Sequence, residues 1–261
     1  MKIPFRKTLL RLIPVFMYAL LPSGCASLGP RAEPLRVGIT ADYPPLVFRQ
    51  GGQFVGAEVE LARALGEELG RPIQFVNVRW RDQIPALLGG KTDIIMSAMS
   101  ITEARRVRVA FSEPYLKNEL RVIFRKRDEA RFTTTEAFMA SDMRVGVVAG
   151  TTADSFVQRH GPRLRRTALE TRKDAAFFLL RSRRIDAYVD DTLALAWILA
   201  ENEASIAYLR EPLAEEYIAW AVRPSDQELL QSVNAVLATW EEDGTLDDVI
   251  YRWMPFLEQL K

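Results

Sequence analysis

The sequence predicts an α/β protein of two lobes, each with a parallel-rich sheet flanked by helices and joined to the other by two chain crossings. Three observations predict it. Apolar runs suited to buried strands alternate with amphipathic helical segments, the alternation stops and restarts once, and the last two helices have no strands of their own. A length of 261 residues and a hydrophobic content of 48% are compatible with two domains and their cores.

The first alternation runs from residue 35 to residue 99. Its strands are short apolar runs, and the segments between them place apolar residues at helical spacing and end near glycine or proline. The predicted strands are Leu35–Thr40, Ile73–Val78 and Asp93–Met99, and the predicted helices are Gly56–Leu69 and Asp82–Leu88. Strand and helix in strict alternation are typical of a parallel sheet.

The second alternation begins near residue 143, and a helix is expected to start after Ala149–Thr152. The predicted strands are Met143–Val148, Ile185–Val189 and Tyr217–Val222, and the predicted helices are Thr171–Arg181, Thr192–Ala200, Asp226–Glu241 and Thr245–Leu260. Because the last two helices lack strands, we expect them to pack on the first unit. Lobe I then comprises residues 35–118 and 216–261, lobe II comprises residues 119–215, and the crossings lie near Leu116–Leu120 and Pro212–Glu216.

The N-terminus is a candidate export signal. Four basic residues precede residue 12, and an apolar run extends from Leu12 to Leu21. A basic region, a short apolar region and small residues describe a secretory signal, here residues 1–24, and the apolar run is shorter than the roughly 20 residues that span a membrane. The alternative is a membrane anchor that stays attached.

Cys25 directly follows Ser23 and Gly24, which resembles a bacterial lipobox with Pro22 where leucine is usual. The sequence therefore predicts lipidation of Cys25 and a short tether over residues 25–34; the alternative is an incidental cysteine. Since Cys25 is the only cysteine, an intramolecular disulfide is excluded.

Charge argues against nucleic acid as a partner. The whole chain carries a net charge of +1, and removal of the four basic residues of the signal leaves about −3. Arginine-dense stretches at Arg121–Arg131 and Arg163–Arg166 are interpreted as solvated surface.

The stretch Asp93–Tyr115 contains candidate ligand-binding residues. A strand ends in small and hydroxyl residues up to Ser100, Thr102 is a candidate N-cap, and Arg105 follows in the first helical turn. The carboxyl end of a strand that opens onto a helix N-terminus is where open α/β sheets bind ligands, and such a terminus favours an anion. An arginine there adds a bidentate partner for a carboxylate, although Arg105 taken alone is more typical of a surface helix position.

Read with its flanking motifs, this stretch resembles family 3 of the extracytoplasmic solute-binding proteins, the polar amino-acid binders of ABC importers. The resemblance covers nearly all of the mature chain and departs from the family pattern at Ala57, Glu58 and Glu60. The similar segments are GQFVGAEVELARALGEELG, IPALLGGKTDIIMSAMSITEARR, FSEPY, RVGVVAGTTAD, IDAYVDD and LLQSVNAVLATWEEDGTLDDVIYRWM. It implies the two-lobe, type II periplasmic-binding-protein-like fold with a two-crossing hinge.

The resemblance also implies a carboxylate site. Arg105 is expected to bind the α-carboxylate of an amino acid, helped by Ser100 and by Thr152 of the other lobe. Ser97 and Ala98 are expected to contribute backbone groups, and Ser97 also its hydroxyl. Thr152 has an alternative role as the N-cap of its helix.

The same resemblance implies partners for the rest of the ligand. Asp191 is expected to accept the α-ammonium, while the adjacent Asp190 points the other way along the strand. Tyr43 and Trp80 are expected to enclose the stem of the ligand. The alternatives are a helix N-terminal acid for Asp191 and packing roles for the two aromatic residues.

The predicted function is capture of an amino acid or similar small zwitterion by hinge closure, followed by delivery to an ABC permease in the inner membrane. We expect a monomer in the periplasm or at the cell surface, attached to the membrane by lipid, with no cofactor, no metal and no catalytic residue. One alternative is an enzyme on the same fold, similar to cyclohexadienyl dehydratase, using Asp190, Asp191 or Glu113. Another is a stand-alone sensory or regulatory protein.

Overall fold

A computed structural model describes residues 32–260, apart from the side chains of residues 176, 180 and 258–260. The predicted signal, Cys25 and most of the tether therefore lie outside the described residues. Within that part the strands are Leu35–Ile39 (β1), Phe48–Gln50 (β2), Gln53–Val55 (β3), Ile73–Asn77 (β4), Ile94–Ser100 (β5), Ala110–Phe111 (β6), Leu116–Arg125 (β7), Arg144–Val148 (β8), Arg165–Leu169 (β9), Ala187–Asp191 (β10), Ile206–Tyr208 (β11) and Ala214–Val222 (β12).

Most of the predicted helices are present with ends shifted by a few residues, two are shorter than predicted, and the helix Thr135–Met139 was not predicted. They are Ala57–Glu68 (α1), Gln83–Leu88 (α2), Glu103–Arg106 (α3), Thr135–Met139 (α4), Thr152–His160 (α5), Lys173–Ala176 (α6), Thr192–Glu201 (α7), Gln227–Asp243 (α8) and Thr245–Trp253 (α9). The predicted helix at Thr171–Arg181 is shorter, because α6 passes into a π-helical turn at Phe177. The final predicted helix ends at Trp253, since Pro255 begins a separate 3₁₀ turn.

The main sheet has the strand order β4-β1-β5-β12-β7-β10-β8-β9, with β11 on β7 and β6 on β12. Pairing is parallel toward both ends, where β1 pairs with β4 and β5 and where β8 pairs with β9 and β10. It is antiparallel in the middle, where β12 and β7 lie. The parallel-rich prediction is therefore right for the two outer parts of the sheet.

The middle strands coincide with the predicted crossings. β7 and β12 pair in antiparallel register from Leu116 with Ile218 to Leu120 with Ala214. On one side Ile218 is also paired with Ser100 at the end of β5, and on the other side Leu120 is paired with Asp191 at the end of β10. The register thus makes the carboxyl ends of β5 and β10 face each other from opposite sides of the β12–β7 pair, separated along β7 by the residues between Leu116 and Leu120.

Buried apolar residues form separate cores on the two sides of this pair. One core joins β1, β5, α1, α8 and α9, and it includes Trp220 and Trp240. Two further clusters draw on residues 120–209. The start of α7 packs on the first core through Leu193 and Ala194. The division matches two lobes, whose boundaries at 118/119 and 215/216 stay a prediction; lobe I and lobe II are used below in that sense.

No helix within residues 32–260 has both the length and the hydropathy needed to cross a membrane.

Glu58 is a buried carboxylate at the first turn of α1, with no exposed surface. It accepts hydrogen bonds from the Ala98 N–H (2.6 Å), the Tyr115 hydroxyl (2.6 Å) and the Trp220 indole (2.9 Å). Ala98 has a φ of 51°, in the left-handed region that non-glycine residues rarely adopt. Glu58 therefore holds the strained end of β5 against the core of lobe I.

Replacing Glu58 by alanine leaves three buried donors without an acceptor, and each such loss costs about 1–3 kcal/mol. We expect Glu58→Ala to lower the free energy of unfolding by about 3 kcal/mol or more in urea titration. Glu68→Ala, an exposed change in the same helix, is the control and should alter it by less than about 0.5 kcal/mol. Equal stabilities of the two variants would contradict this role of Glu58.

Candidate functional site

Arg105 lies at the start of α3, just past the end of β5. Thr102 is the N-cap of α3, as predicted, and its side chain accepts a hydrogen bond from the Arg105 N–H at 3.2 Å. The guanidinium donates to the carbonyl oxygens of Ser100 (2.7 Å) and Gly150 (3.4 Å). It also lies over the Trp80 ring, with 5.2 Å between Cζ and the ring centroid. These contacts orient the guanidinium without neutralising it.

The charge of Arg105 is desolvated. Burial lowers the pKa of Arg105, and the positive charge of Arg172 lowers it further. The negative charges of Glu216 and Asp191 raise it and so oppose the shift. Among residues 32–260, no carboxylate lies within ion-pair distance of this guanidinium, and arginine keeps its charge despite such a shift. A half-buried cation with only carbonyl partners suits an anionic ligand.

A cavity of about 630 Å³ lies against Arg105, Trp80 and Thr152. Three further arginines line it, namely Arg81, Arg108 and Arg159. Glu103 is the acid among the lining residues. Glu103 is itself paired with Arg106 at 3.7 Å. The cavity walls are therefore electropositive, which favours an anion.

The turn before α5 forms the opposite wall. Gly150 has a φ of 79°, where a side chain would be strained, and its carbonyl oxygen accepts from the Trp80 indole at 3.0 Å. Asp154 accepts from the Gly150 N–H at 2.9 Å. Thr151 is the N-cap of α5, so the alternative that Thr152 caps this helix is wrong. Thr152 is the first helical residue and lines the cavity beside Arg105.

Asp191 lies at the end of β10 and is buried. Its Oδ2 accepts from the Tyr43 hydroxyl at 2.6 Å and lies 3.5 Å from a guanidinium nitrogen of Arg172. Burial, with the negative charges of Asp190 and Glu216, raises the pKa of Asp191 to about 8, although Arg172 and Tyr43 oppose the shift. Asp191 is therefore protonated more readily than an ordinary aspartate.

Arg172 is a site residue that the sequence analysis missed. Its guanidinium is buried, with Nε 2.9 Å from Asp190 Oδ2, and Cζ lies 3.9 Å from the centroid of the Tyr43 ring. Another guanidinium nitrogen lies 3.9 Å from Asp42 Oδ1. Arg172 follows β9, a strand the apolar pattern did not reveal, and nothing in its local sequence distinguishes it from surface arginines.

Asp190 and Asp191 were expected to face opposite sides of the strand. Asp190 accepts from the hydroxyl of Tyr188, two residues earlier on the same face, and from the Asp191 N–H at 3.0 Å. Asp191 instead reaches Tyr43 of lobe I. Both carboxylates nevertheless lie near Arg172, and Asp191 is both the last residue of β10 and the N-cap of α7.

The small residues at the end of β5 are engaged within the protein. Ser97 Oγ accepts from the Thr40 N–H at 2.9 Å, and the Ala98 N–H is bound by Glu58. The Ser100 hydroxyl donates to Glu216 Oε2 at 2.8 Å. The Ser97 and Ser100 hydroxyl groups and the Ala98 N–H therefore already have hydrogen-bond partners within the protein.

The structure thus divides the predicted residues into two groups. Arg105, Trp80 and Thr152 share the electropositive cavity. Tyr43 is buried and meets Asp191 and Arg172, so it takes part in a charged cluster as well as in the core of lobe I. Within residues 32–260, no group of three or more histidine, cysteine, aspartate or glutamate side chains is arranged to hold a metal ion.

Residues 35–256 match the family described as bacterial extracellular solute-binding proteins, family 3. The chain is 28% identical to ABC transporter arginine-binding protein 1 of Escherichia coli (strain K12), over 86% of this chain and 92% of that protein. It is 26% identical to the histidine-binding periplasmic protein of Salmonella typhimurium, over 90% of this chain and 92% of that protein.

Solved structures of similar proteins have the same fold. An ancestral amino acid-binding protein, described as a precursor of cyclohexadienyl dehydratase, is 34% identical with a TM-score of 0.79, over 85% of this chain and 96% of that one. A binding component of an ABC transporter from Wolinella succinogenes, complexed with lysine, is 27% identical with a TM-score of 0.81, over 85% and 96%. These similarities confirm the predicted two-lobe, type II fold.

The raised pKa of Asp191 makes stability depend on pH. The folded protein holds this proton up to about pH 8, whereas an unfolded aspartate loses it near pH 4, so the free energy of unfolding should fall as pH rises between those values. Asp191→Asn cannot ionise, so urea unfolding from pH 4 to pH 9 should show the variant gaining stability relative to the wild type as pH rises. Parallel profiles would show that the Asp191 proton is not held as described.

Proposed function

The chain belongs to family 3 of the bacterial extracellular solute-binding proteins, and from that premise we propose that it captures an amino acid or similar small zwitterion between its two lobes. One observation carries the proposal: a desolvated Arg105, bonded to carbonyl oxygens alone, faces a cavity that it shares with Thr152 of the other lobe. Relatives named for binding arginine and histidine, and a similar structure complexed with lysine, support it.

The α-carboxylate binds Arg105. A guanidinium offers two parallel N–H donors to a carboxylate, and the N-terminus of α5 presents backbone N–H groups and a favourable dipole from lobe II. Thr152 is the first residue of that helix, so its hydroxyl and N–H are suited to the same carboxylate. One anionic group then contacts both lobes.

The α-ammonium binds Asp191. Both described contacts of that carboxylate are made by Oδ2, which leaves Oδ1 for the ligand. An ammonium near Asp191 favours its ionised form, so binding of a zwitterion below pH 8 releases a proton. Trp80, which lies over Arg105, and Tyr43, which lies beside Asp191, then flank the stem.

Closure of the lobes follows from a site divided between them. Trp80 of lobe I donates to Gly150 of lobe II, and Tyr43 of lobe I donates to Asp191 of lobe II. A ligand that also contacts both lobes adds to these bonds and shifts the population toward the closed state by its differential affinity. We propose that an ABC permease recognises this closed state and receives the amino acid.

Membrane attachment is the second part of the proposal. Removal of residues 1–24 leaves Cys25 as a lipidated N-terminus, and residues up to 34 form the tether to β1. The protein then acts as a monomer at the periplasmic or outer surface of a membrane, close to its importer.

Binding is favoured over catalysis by the groups at the site. Of the three acids considered for a dehydratase, Glu113 is exposed and Asp190 is held by Tyr188 and Arg172. Asp191 has a pKa suited to a general acid, but the relatives are named as binding proteins. We therefore propose that this chain is not an enzyme.

Arg105→Ala removes the carboxylate partner and should abolish ligand-induced stabilisation. In a thermal-shift screen of the twenty amino acids, a ligand at a hundredfold excess over its Kd adds about 2.7 kcal/mol, or roughly 5–10 °C for a domain of this size. We expect such a shift in the wild type and none in Arg105→Ala.

Arg106→Ala is the matched control, because Arg106 is an exposed neighbour on the same helix. It should keep the full shift. If none of the twenty amino acids stabilises the wild type, the amino-acid assignment is wrong; if Arg105→Ala keeps the shift, the carboxylate binds elsewhere.

Lipidation is tested by fractionation. Cys25→Ser cannot accept a lipid and should move the protein from the membrane fraction to the soluble periplasmic fraction, whereas Ser27→Ala should leave it in the membrane fraction. A Cys25→Ser protein that stays with the membrane would contradict the proposed anchor.

A further inference from the structure

The chain supplies its own cation to the predicted ammonium site. Arg172 is buried, its guanidinium lies 2.9 Å from Asp190 and 3.5 Å from Asp191, and its Cζ lies 3.9 Å from the centroid of the Tyr43 ring. Its backbone N–H also donates to Asp42 Oδ2 at 3.4 Å. The positive charge expected from the ligand is therefore already present beside Asp191.

This cation also joins the lobes. Asp42 and Tyr43 belong to lobe I, whereas Arg172 and Asp191 belong to lobe II. The Arg172 guanidinium lies near Asp42, Tyr43 and Asp191, and the Tyr43 hydroxyl donates to Asp191. These contacts link the two predicted lobes through groups of the protein alone.

The hydrogen-bonding capacity of Asp191 fits the same interpretation. With Oδ2 held by Tyr43 and Arg172, the remaining oxygen of a protonated carboxyl is a donor as well as an acceptor. Burial and the negative charges of Asp190 and Glu216 raise the pKa of Asp191, which favours this protonated form. A protonated Asp191 is able to donate to a hydroxyl or carbonyl oxygen on the ligand carbon where an amino acid carries its ammonium.

We propose that Arg172 removes the requirement for an α-ammonium, so that the site accepts 2-hydroxy and 2-oxo acids as well as the amino acid of the same skeleton. The inference rests on the proposed function, because it assumes a carboxylate on Arg105, and it widens the ligand class. Arg172 is then the residue that sets this specificity, through Asp191 and Tyr43.

The test is calorimetric titration of the full chain at pH 7 with the amino acid that gives the largest thermal shift and with its 2-hydroxy and 2-oxo analogues. We expect the three Kd values to agree within about tenfold. In a site that needs the ammonium, the analogue leaves a buried charge unpaired, and the expected loss exceeds a hundredfold. A loss of that size would overturn the inference and leave the proposed function intact. Binding by none of the twenty amino acids would refute the proposed function itself.

Arg172→Gln adds the causal test. Without the guanidinium, the neighbouring acids Asp190 and Asp191 lose the cation that they share, so the ammonium of the ligand becomes the positive partner of the pair. Discrimination against the 2-hydroxy acid should then rise above a hundredfold, while Arg172→Lys restores the wild-type ratio. Lys173→Gln, which removes an exposed positive charge from the next residue, is the control and should leave the ratio unchanged. An unchanged ratio in Arg172→Gln would overturn the role of Arg172, and if that variant does not fold, the wild-type titrations decide the inference.

Discussion

The pairing of β7 with β12 is the constraint on which the site depends. These two strands contain the predicted crossings between the lobes. On one side of the pair, Ile218 of β12 is paired with both Leu116 of β7 and Ser100 of β5. On the other side, Leu120 of β7 is paired with Asp191 of β10. Parallel strands on both flanks deliver their carboxyl ends to this junction, where loops and helix N-termini are available for a ligand. The position of the site is therefore a consequence of sheet register.

The charged groups around the junction have three different kinds of partner. Glu58 is satisfied by three donors of its own lobe, and Arg172 is matched by carboxylates from both lobes. Arg105 has carbonyl oxygens alone within reach among the described residues. Because an unpaired buried charge costs several kcal/mol, Glu58 and Arg172 need the partners that the protein supplies, whereas Arg105 has room for an anionic partner from outside. This difference, more than the presence of arginine, is why we propose Arg105 as the carboxylate-binding residue.

Much of the fold could be predicted from sequence, because apolar periodicity reports burial directly. The strands ending at Met99 and Val148, the helix pair at the C-terminus and the N-cap Thr102 all follow from local pattern. The cluster around Arg172 could not be predicted, since Asp42 and Arg172 are 130 residues apart and meet only through the tertiary fold. The hydroxyl of Ser97 was assigned to the ligand but binds the Thr40 N–H, a contact set by tertiary packing rather than by its motif.

The most direct measurement is a crystal structure of the protein after incubation with a mixture of the twenty amino acids. The account predicts a single bound molecule at the junction of β5 and β10, with its carboxylate within hydrogen-bond distance of the Arg105 guanidinium and its other polar group at Asp191. A cleft that holds only solvent, or a ligand whose carboxylate contacts Arg172 or another arginine in place of Arg105, would contradict it.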